Sequence, residues 1–596
     1  MQLIFFSLKE FRNLRDLEIR FSQYLEPLSS ADSKALKAIR SHAFIGQNGT
    51  GKSNLIEALI TIFRDIDLDR DAEFDYALEY EIRGHRVRIE ADTSKQKRPF
   101  VWVDGDRVSQ EYLIKNDPPE KLPRDDRRGP RLLPSHIFVY YSGRNERIEV
   151  LFQEHQRRFN RRQEISAEEV LSANLLENFT GSESDIRAIE AKKRERNRLT
   201  HIADDRLRRL FYCRGGHSQL VLLACLLSDD PVFQKVLKNL HIESLESALF
   251  VLKEPHRLRE KRRTGKFEES DIVEGDPRFW YARGNVVNEF LDKLWQVAWA
   301  PIEDEVNKQI DFRGRKEKQR QLYLFVPNHE KLKQLGELVG GIDSFFRYAE
   351  GAYIGDLIDE VRITVKKRDE HGGKVSFTQL SEGELQILTV LGLMRITRED
   401  HCLFLLDEPD THLNPIWKLR YFDDIEGVLT PDQNHPMGES QILITTHDPM
   451  MVGSLRREQV HILRREGKRT VVDIPDEHPQ GMGVTGLLKS ELFGLSSTLD
   501  LETERRLFRR NELFVKSPRT LEEEAELNRL SSELADLGFS TSDFRDPDYA
   551  LFVHKMSQHR RFRKSNLTPE ERAERDRIAS EIIEEILRDE ANHDMD

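Results

Sequence analysis

"GQNGTGKSN", Gly46–Asn54, follows the short apolar run "AFI" and precedes "LIEALITIF". It fits G-x-x-x-x-G-K-[ST], with Gly46, Gly51, Lys52 and Ser53 in the fixed places. The pattern has a mechanism. Gly46, Gly49 and Gly51 let backbone N–H groups turn inward around a phosphate, together with Gln47, Asn48, Thr50 and Asn54 of the same loop. Lys52 brings a point charge to the β/γ-phosphates, the Ser53 hydroxyl is a ligand for Mg²⁺, and the helix N-terminus adds partial positive charge. The context agrees. "HAFIG" reads as a buried strand, and Leu55, Ile56, Leu59, Ile60 and Phe63 share one helical face after the loop. Strand, glycine loop and helix in sequence decide for an α/β fold.

Working outward, residues 2–21 read as two strands and residues 73–113 as antiparallel strands punctuated by "RG" and "DG" turns. "SHIFVYYSG" (135–143), "HCLFLLDEPD" and "SQILITTHDP" read as short buried strands, the last two ending in acid or His. Between about 151 and 350 the pattern turns helical and highly charged, with no sustained heptad. "QLYLFVP" and "VRITVKKRD" resume strand character, and the chain is helical again after about 485. Thr520 and Thr568 each open a helix with capping-box chemistry. These patterns imply four segments: 1–150, a lobe with the phosphate loop; 151–350, a mostly helical, partly basic insertion; 351–484, a second lobe; 485–596, a helical C-terminal region for partner binding or oligomerisation.

Composition narrows the class. The chain has 596 residues, 38% hydrophobic and 33% charged, enough for several lobes with solvated surfaces. A net charge of −13 excludes indiscriminate coating of nucleic acid. The three cysteines form no C-x-x-C pair, which disfavours a disulfide framework or zinc ribbon and suits a reducing cytoplasm. "LVLLACLL" at 220–227 is the longest apolar stretch, far below the ~20 residues of a membrane helix, so the expectation is a cytoplasmic protein with no membrane partner.

Three further stretches add chemistry. In "FLLDEPD", two acids stand at the carboxyl end of a buried strand, where open α/β sheets bind ligands. Asp407 is the candidate for holding Mg²⁺ and Glu408 for deprotonating the attacking water. In "LSEGELQ", Ser381 and Glu384 cap an apolar helix, and Ser381, Glu382 and Gly383 can meet a γ-phosphate presented by another subunit. In "ITTHDP", His447 follows a buried strand 40 residues after Asp407 and is a candidate γ-phosphate contact.

In this order the four motifs resemble those of ABC-type ATPase heads of the RecF, SMC and OLD branch: "GQNGTGKSN" is similar to Walker A, "LSEGE" to the signature, "FLLDEP" to Walker B and "TTHD" to the switch histidine. The resemblance implies an ABC-ATPase head with an antiparallel β lobe. It also implies ATP and Mg²⁺ as cofactors, Glu408 and His447 as catalytic residues, and a head-to-head homodimer or higher oligomer in which Ser381 faces the partner's phosphate loop. The chain departs from the pattern at the coupling glutamine, where Ser142 stands, and at the D-loop, where Asn414 stands. The insertion lacks the long heptads of SMC proteins. The tail, "LLKSELFGLSSTLDLETERRLFRRNELF" followed by a capped hairpin and "DPDYALFVHK", looks like the PtuA ATPases of Septu-type anti-phage systems and their retron-associated relatives. That resemblance implies a defence ATPase regulating a separate HNH nuclease of PtuB type on DNA or RNA, retron RNA/DNA included. Two rival readings stand beside it. One is a self-contained OLD-like nuclease using Asp473, Asp476 and Glu477, which sit in a turn-like stretch without D-x-D. The other is a RecF-like DNA repair clamp.

Basic clusters at 157–162, 253–266 and 312–320 fall in the insertion. Arg259, Lys261, Arg262, Arg263, Arg313 and Arg315 are therefore candidate phosphate-backbone contacts, against the commoner fate of charge runs as solvated faces.

Overall fold

A computed structural model describes residues 1–25, 38–115, 132–143, 146–163, 210–213, 216–267, 272, 275–284, 286–309, 316–368, 373–397, 401–428, 440–495, 498–516, 518–537, 574 and 577–581. Two compact units emerge, each built from two stretches of chain: Met1–Gln23 with Ser53–Thr445, and Tyr24–Lys52 with Thr446–Asp596.

The first unit contains three groups of strands. β1 (Gln2–Phe11) and β2 (Leu14–Arg20) form a hairpin. β1 also pairs with β4 (Tyr76–Ile82), which continues through β5 (His85–Ala91), β6 (Phe100–Val103) and β7 (Asp106–Val108) in an antiparallel sheet of order β2-β1-β4-β5-β6-β7. The expected turns are present. Arg83-Gly84 and Asp104-Gly105 all have positive φ, the geometry that matches strand twist in two-residue hairpins.

The second group is parallel. β8 (Ile137–Tyr141), β9 (Leu210–Tyr212), β15 (Leu403–Asp407) and β16 (Gln441–Thr445) lie in the order β16-β15-β8-β9. β15 and β16 are buried at every position, as continuous apolar runs in parallel sheets are. The third group is antiparallel, in the order β11-β12-β10-β13-β14: β10 (Ile242–Lys253), β11 (Trp299–Gln309), β12 (Lys316–Val326), β13 (Ile358–Lys367) and β14 (Lys374–Ser376). β12 and β13 match the pattern. β10 and β11 lie in a stretch read as helical. β10 is interrupted by register shifts that break its alternation. β11 is a charged edge strand, mostly exposed, whose pairing rests on backbone bonds that leave no apolar period to read.

Helix α1 (Lys52–Asp67) starts at the glycine loop. Leu55, Ile56, Leu59, Ile60 and Phe63 are at most 1% exposed, so the predicted face is the core face.

In the second unit β3 (Ser41–Ile45) runs parallel to β17 (Val460–Glu466), which turns back into β18 (Arg469–Asp473). The stretch read as turn-like is thus a hairpin up to Asp473. Its alternation is only three residues long and is followed at once by Pro475 and acids, which hid it. Helices Leu501–Val515 and Leu521–Asp536 close on Leu513, Leu527 and Leu530, and Thr520 makes the predicted capping box with Glu523. Thr568 and the segment "DPDYALFVHK" lie outside the described residues. Among the described residues no helix is long and apolar enough to cross a membrane.

β3 and β17 also share a buried histidine pair, His42 Nδ1 to His461 Nε2 at 3.1 Å, with Phe44 stacked on the His461 ring. Burial lowers both imidazole pKa values, that of His461 to about 4. The unfolded chain titrates near 6.5, so it takes up protons that the folded state refuses. The stabilisation is complete above pH 6.5 and is lost as pH falls toward 4. At pH 5 His461 alone accounts for a loss of about 2 kcal/mol. Urea unfolding at pH 7 and pH 5 should show this decline, and His461→Gln should make it shallower.

Candidate functional site

The phosphate loop belongs to the second unit. Gly49 and Gly51 have φ of 84° and 108°, a conformation that L side chains rarely adopt. A Cβ on Gly49 would meet nothing within 4 Å, so the turn leaves an open cradle. Gly46 is needed for another reason: a Cβ there would sit 2.5 Å from the carbonyl oxygen of Leu463 on β17. The Lys52 ammonium is 2.8 Å from the Gly46 carbonyl and 3.5 Å from that of Gln47. Thr50 donates to the Gln47 carbonyl from both its N–H (3.3 Å) and its hydroxyl (2.9 Å). The loop therefore holds its own lysine in place, with acceptors that a phosphate can replace. Asn54 is differently employed. In the first unit its amide donates to Asn13 (2.6 Å) and its carbonyl accepts from Arg147 (3.2 Å), while the guanidinium groups of Arg12 and Arg147 meet on the buried Glu57.

Asp407 ends β15. Parallel register sets it opposite Thr445 on β16 and Tyr141 on β8. It is 1% exposed, the Thr445 hydroxyl donates to its Oδ1, and its carbonyl accepts from the Ser142 N–H at 3.1 Å. The next residue, Glu408, has φ of +48°, and its N–H donates to the Thr445 carbonyl at 3.0 Å. A non-glycine residue held there is strained, and such strain concentrates at functional positions. The strand lets β15 end on a buried acid and then throws a half-buried carboxylate outward.

Ser381 is the N-cap of helix Glu382–Ile396. Its hydroxyl accepts from the Glu384 N–H (3.2 Å), and Glu384 accepts from the Ser381 N–H (2.8 Å). Burial pushes the Glu384 carboxyl up, but the Lys367 ammonium at 2.8 Å and the Ser381 N–H outweigh it, leaving the pKa lowered. Ser381 and Glu382 are exposed, and Glu382 pairs with His412 at 3.0 Å. Gly383 has a steric reason: a Cβ would lie 2.5 Å from the His412 carbonyl oxygen. Gln386, to which the sequence reading gave no role, joins this helix to the segment after Glu408. Its amide donates to the Pro409 carbonyl and its oxygen accepts from the His412 N–H. Asn414 caps the following helix, accepting from the Trp417 N–H at 2.9 Å.

His447, in the second unit, is exposed between Thr446 and Asp448, whose own hydrogen bond (Asp448 N–H to Thr446 Oγ1, 3.0 Å) fixes the turn. Ser53 hydroxyl and Asp407 carboxylate are hard oxygen donors, the chemistry Mg²⁺ selects. Among the described residues no group of three or more His, Cys, Asp or Glu side chains is arranged to hold a metal, Asp473, Asp476 and Glu477 included.

The basic helix His256–Thr264 carries four of the candidate nucleic-acid contacts. Arg259 pairs with Glu317 at 2.9 Å, Arg262 makes two 2.8 Å bonds to Glu254, and Arg263 lies 3.9 Å from Glu260. The Arg263–Glu260 pair is exposed on both sides and contributes about 0–1 kcal/mol, so a phosphate can compete for it, whereas Arg262 is held by the buried Glu254 carboxylate. Arg313 and Arg315 lie outside the described residues.

Residues 248–452 match the family described as AAA domain, putative AbiEii toxin, Type IV TA system. That stretch contains Ser381, Asp407, Glu408 and His447. No curated protein matches the chain. Among solved structures, it is similar to the SMC head domain from Thermotoga maritima, at 12% identity over 80% of this chain and 99% of that one, with a TM-score of 0.28. It is also similar to the recombination mediator protein RecF-ATPrS in the RecFOR pathway, at 12% identity over 79% and 97%, with a TM-score of 0.27. The family match therefore covers an AAA domain in about a third of the chain, and that third holds three of the four motifs.

Thr445 is the residue that aims Asp407. Thr445→Val keeps the shape and removes the hydroxyl. On the reading of Asp407 as a Mg²⁺ ligand of an ATPase, the Mg²⁺ concentration for half-maximal ATP turnover should rise by about 10-fold, the usual lower cost of losing a partner of a metal ligand; a Mg²⁺ titration of phosphate release measures it.

Proposed function

We propose that the chain is an ATP-hydrolysing ABC-type ATPase of a PtuA-like defence system, which works with a separate HNH nuclease on nucleic acid. The observation that carries the ATPase half is the form of the four motifs: a glycine loop with its lysine buried and held, an acid-ended buried strand followed by a strained glutamate, a serine-capped helix and a histidine after a buried strand. The defence half rests on the resemblance of the tail.

In this reading Lys52 and the loop N–H groups hold the β/γ-phosphates. Ser53 and Asp407 hold Mg²⁺, which when bound would offset phosphate charge. Glu408 takes the proton of the attacking water, and His447 contacts the γ-phosphate. Ser381 acts across a homodimer, at the γ-phosphate bound to the partner subunit.

Lys52→Ala should abolish ATP binding in calorimetry. Glu408→Gln should bind ATP, hydrolyse it about 10²–10⁴-fold more slowly, and accumulate as dimers in ATP when followed by size-exclusion chromatography with light scattering. Wild-type turnover by Glu408→Gln would remove the proposed base. Incubating the purified chain alone with plasmid and Mg²⁺ or Mn²⁺ tests the rival nuclease reading: cleavage that disappears in Asp473→Asn would favour it over a separate nuclease subunit.

Nucleic-acid binding is the remaining part of the proposal. Replacing Arg259, Lys261, Arg262 and Arg263 with glutamine should weaken DNA or RNA binding. It should also flatten the log–log salt dependence by about one unit for each phosphate that is no longer neutralised. Fluorescence anisotropy across a salt series reads both.

A further inference from the structure

The basic helix His256–Thr264 runs out beside a turn that none of the four motifs explains. Gly265 caps the helix in the left-handed region at φ 64°, with its N–H on the Arg262 carbonyl (3.3 Å) and the Lys266 N–H on the Lys261 carbonyl (2.9 Å). The chain then leaves the helix with Lys266 exposed and Phe267 half-buried. The Phe267 ring meets that of Tyr281, centroids 5.7 Å apart and planes at 61°. Tyr281 belongs to the turn Asp276–Ala282. Two stretches of the first unit thus bring two aromatic rings to the end of the helix, beside Lys266 and after Arg263 in its last turn.

The turn is rigid. The Asp276 carbonyl accepts from the Phe279 N–H (3.0 Å) and the Tyr281 N–H (2.9 Å), and the Asp276 N–H donates to the Ala282 carbonyl (3.0 Å). The Asp276 carboxylate accepts from the Arg278 N–H (2.9 Å) and guanidinium (2.6 Å). That guanidinium also reaches Asp292 (2.8 Å) and lies over the rings of Phe279 and Trp295, so Arg278 braces the turn. Two consecutive bulky residues have positive φ, Trp280 at 57° and Tyr281 at 61°, a strained conformation for both. For Trp280 there is a packing reason, since it is 6% exposed. Tyr281 is 37% exposed, so its own burial does not account for the strain, and glycine would fit the turn at lower cost.

We propose that Tyr281, steadied by Phe267, is a stacking platform for an unpaired base, with Lys266 and Arg263 on the flanking phosphates, so that this surface takes single-stranded nucleic acid. The proposal rests on the nucleic-acid reading of the basic helix and names its substrate class. A base inside a duplex has both faces covered by its neighbours and offers none to a side chain. An unpaired base stacks on an aromatic ring whatever its identity. Positive charge serves single and double strands alike. The exposed ring beside that charge is what favours the single strand, and a merely solvated turn would need neither the ring nor its strained backbone.

Fluorescence anisotropy at one fixed salt concentration compares an oligothymidylate, an oligouridylate and a blunt DNA duplex of the same length. Wild type should bind the single strands more tightly than the duplex. Tyr281→Ala should lose about 10- to 100-fold on the single strands, the range for one stacked base, with duplex affinity unchanged. Tyr281→Phe should retain wild-type affinity. Tyr281→Gly relieves the positive φ, so it should stay folded by thermal melting and still lose single-strand binding. Loss on the oligothymidylate alone assigns the platform to DNA, and loss on the oligouridylate alone assigns it to RNA. If Tyr281→Ala binds the single strands as tightly as wild type, or if wild type prefers the duplex, the platform is overturned while the phosphate contacts of the helix stand. If duplex binding falls together with single-strand binding, the ring only supports the fold and the platform is overturned. If wild type binds none of the three probes, the nucleic-acid reading itself falls, and this proposal with it.

Discussion

The parallel register of β15 and β16 is the constraint on which the candidate site depends. It fixes Asp407 opposite Thr445, so a hydroxyl from one strand aims a carboxylate on the other. The strands are buried at every position, and a one-residue slip of β15 against β16 would turn its side chains to the opposite face and take Asp407 out of reach of Thr445. The Thr445 hydroxyl offsets part of the cost of removing the Asp407 carboxylate from water. Everything downstream inherits that placement. The Glu408 turn begins from it, the Pro409–His412 segment is received by Gln386, and the Ser381 helix is oriented through that glutamine.

The lysine adds a second idea. In the phosphate loop the ammonium is already nearly buried, 7% exposed, and satisfied by two carbonyls of its own loop. A charge in that position is preorganised. Exchanging backbone carbonyls for phosphate oxygens requires little new ordering of the side chain, and the exchange is electrostatically favourable because a neutral acceptor is replaced by an anionic one.

Much of this was legible in the sequence, for identifiable reasons. The face of α1, the strands ending at Asp407 and Thr445 and the caps at Ser381 and Thr520 all write themselves as local periodicity or as short-range hydrogen-bond chemistry. What stayed hidden is long-range or backbone-mediated. Gln386 bonds to main-chain atoms 23 and 26 residues away, and Thr445 finds Asp407 only through register. The need for glycine at 383 comes from the His412 carbonyl and at 46 from that of Leu463, neither of which local pattern predicts. β11 pairs without an apolar stripe, so nothing in its composition announces it.

Glu408 carries a consequence for anyone who would redesign this molecule. Its backbone occupies a region that glycine or asparagine enters at far lower cost. A sequence optimised for thermal stability would replace it, and the fold would gain. Retaining glutamate there trades ruggedness for a carboxylate held just past the end of a buried strand, so consensus-style stabilisation of this protein has to exempt a position that looks, by every local criterion, like the best place to begin.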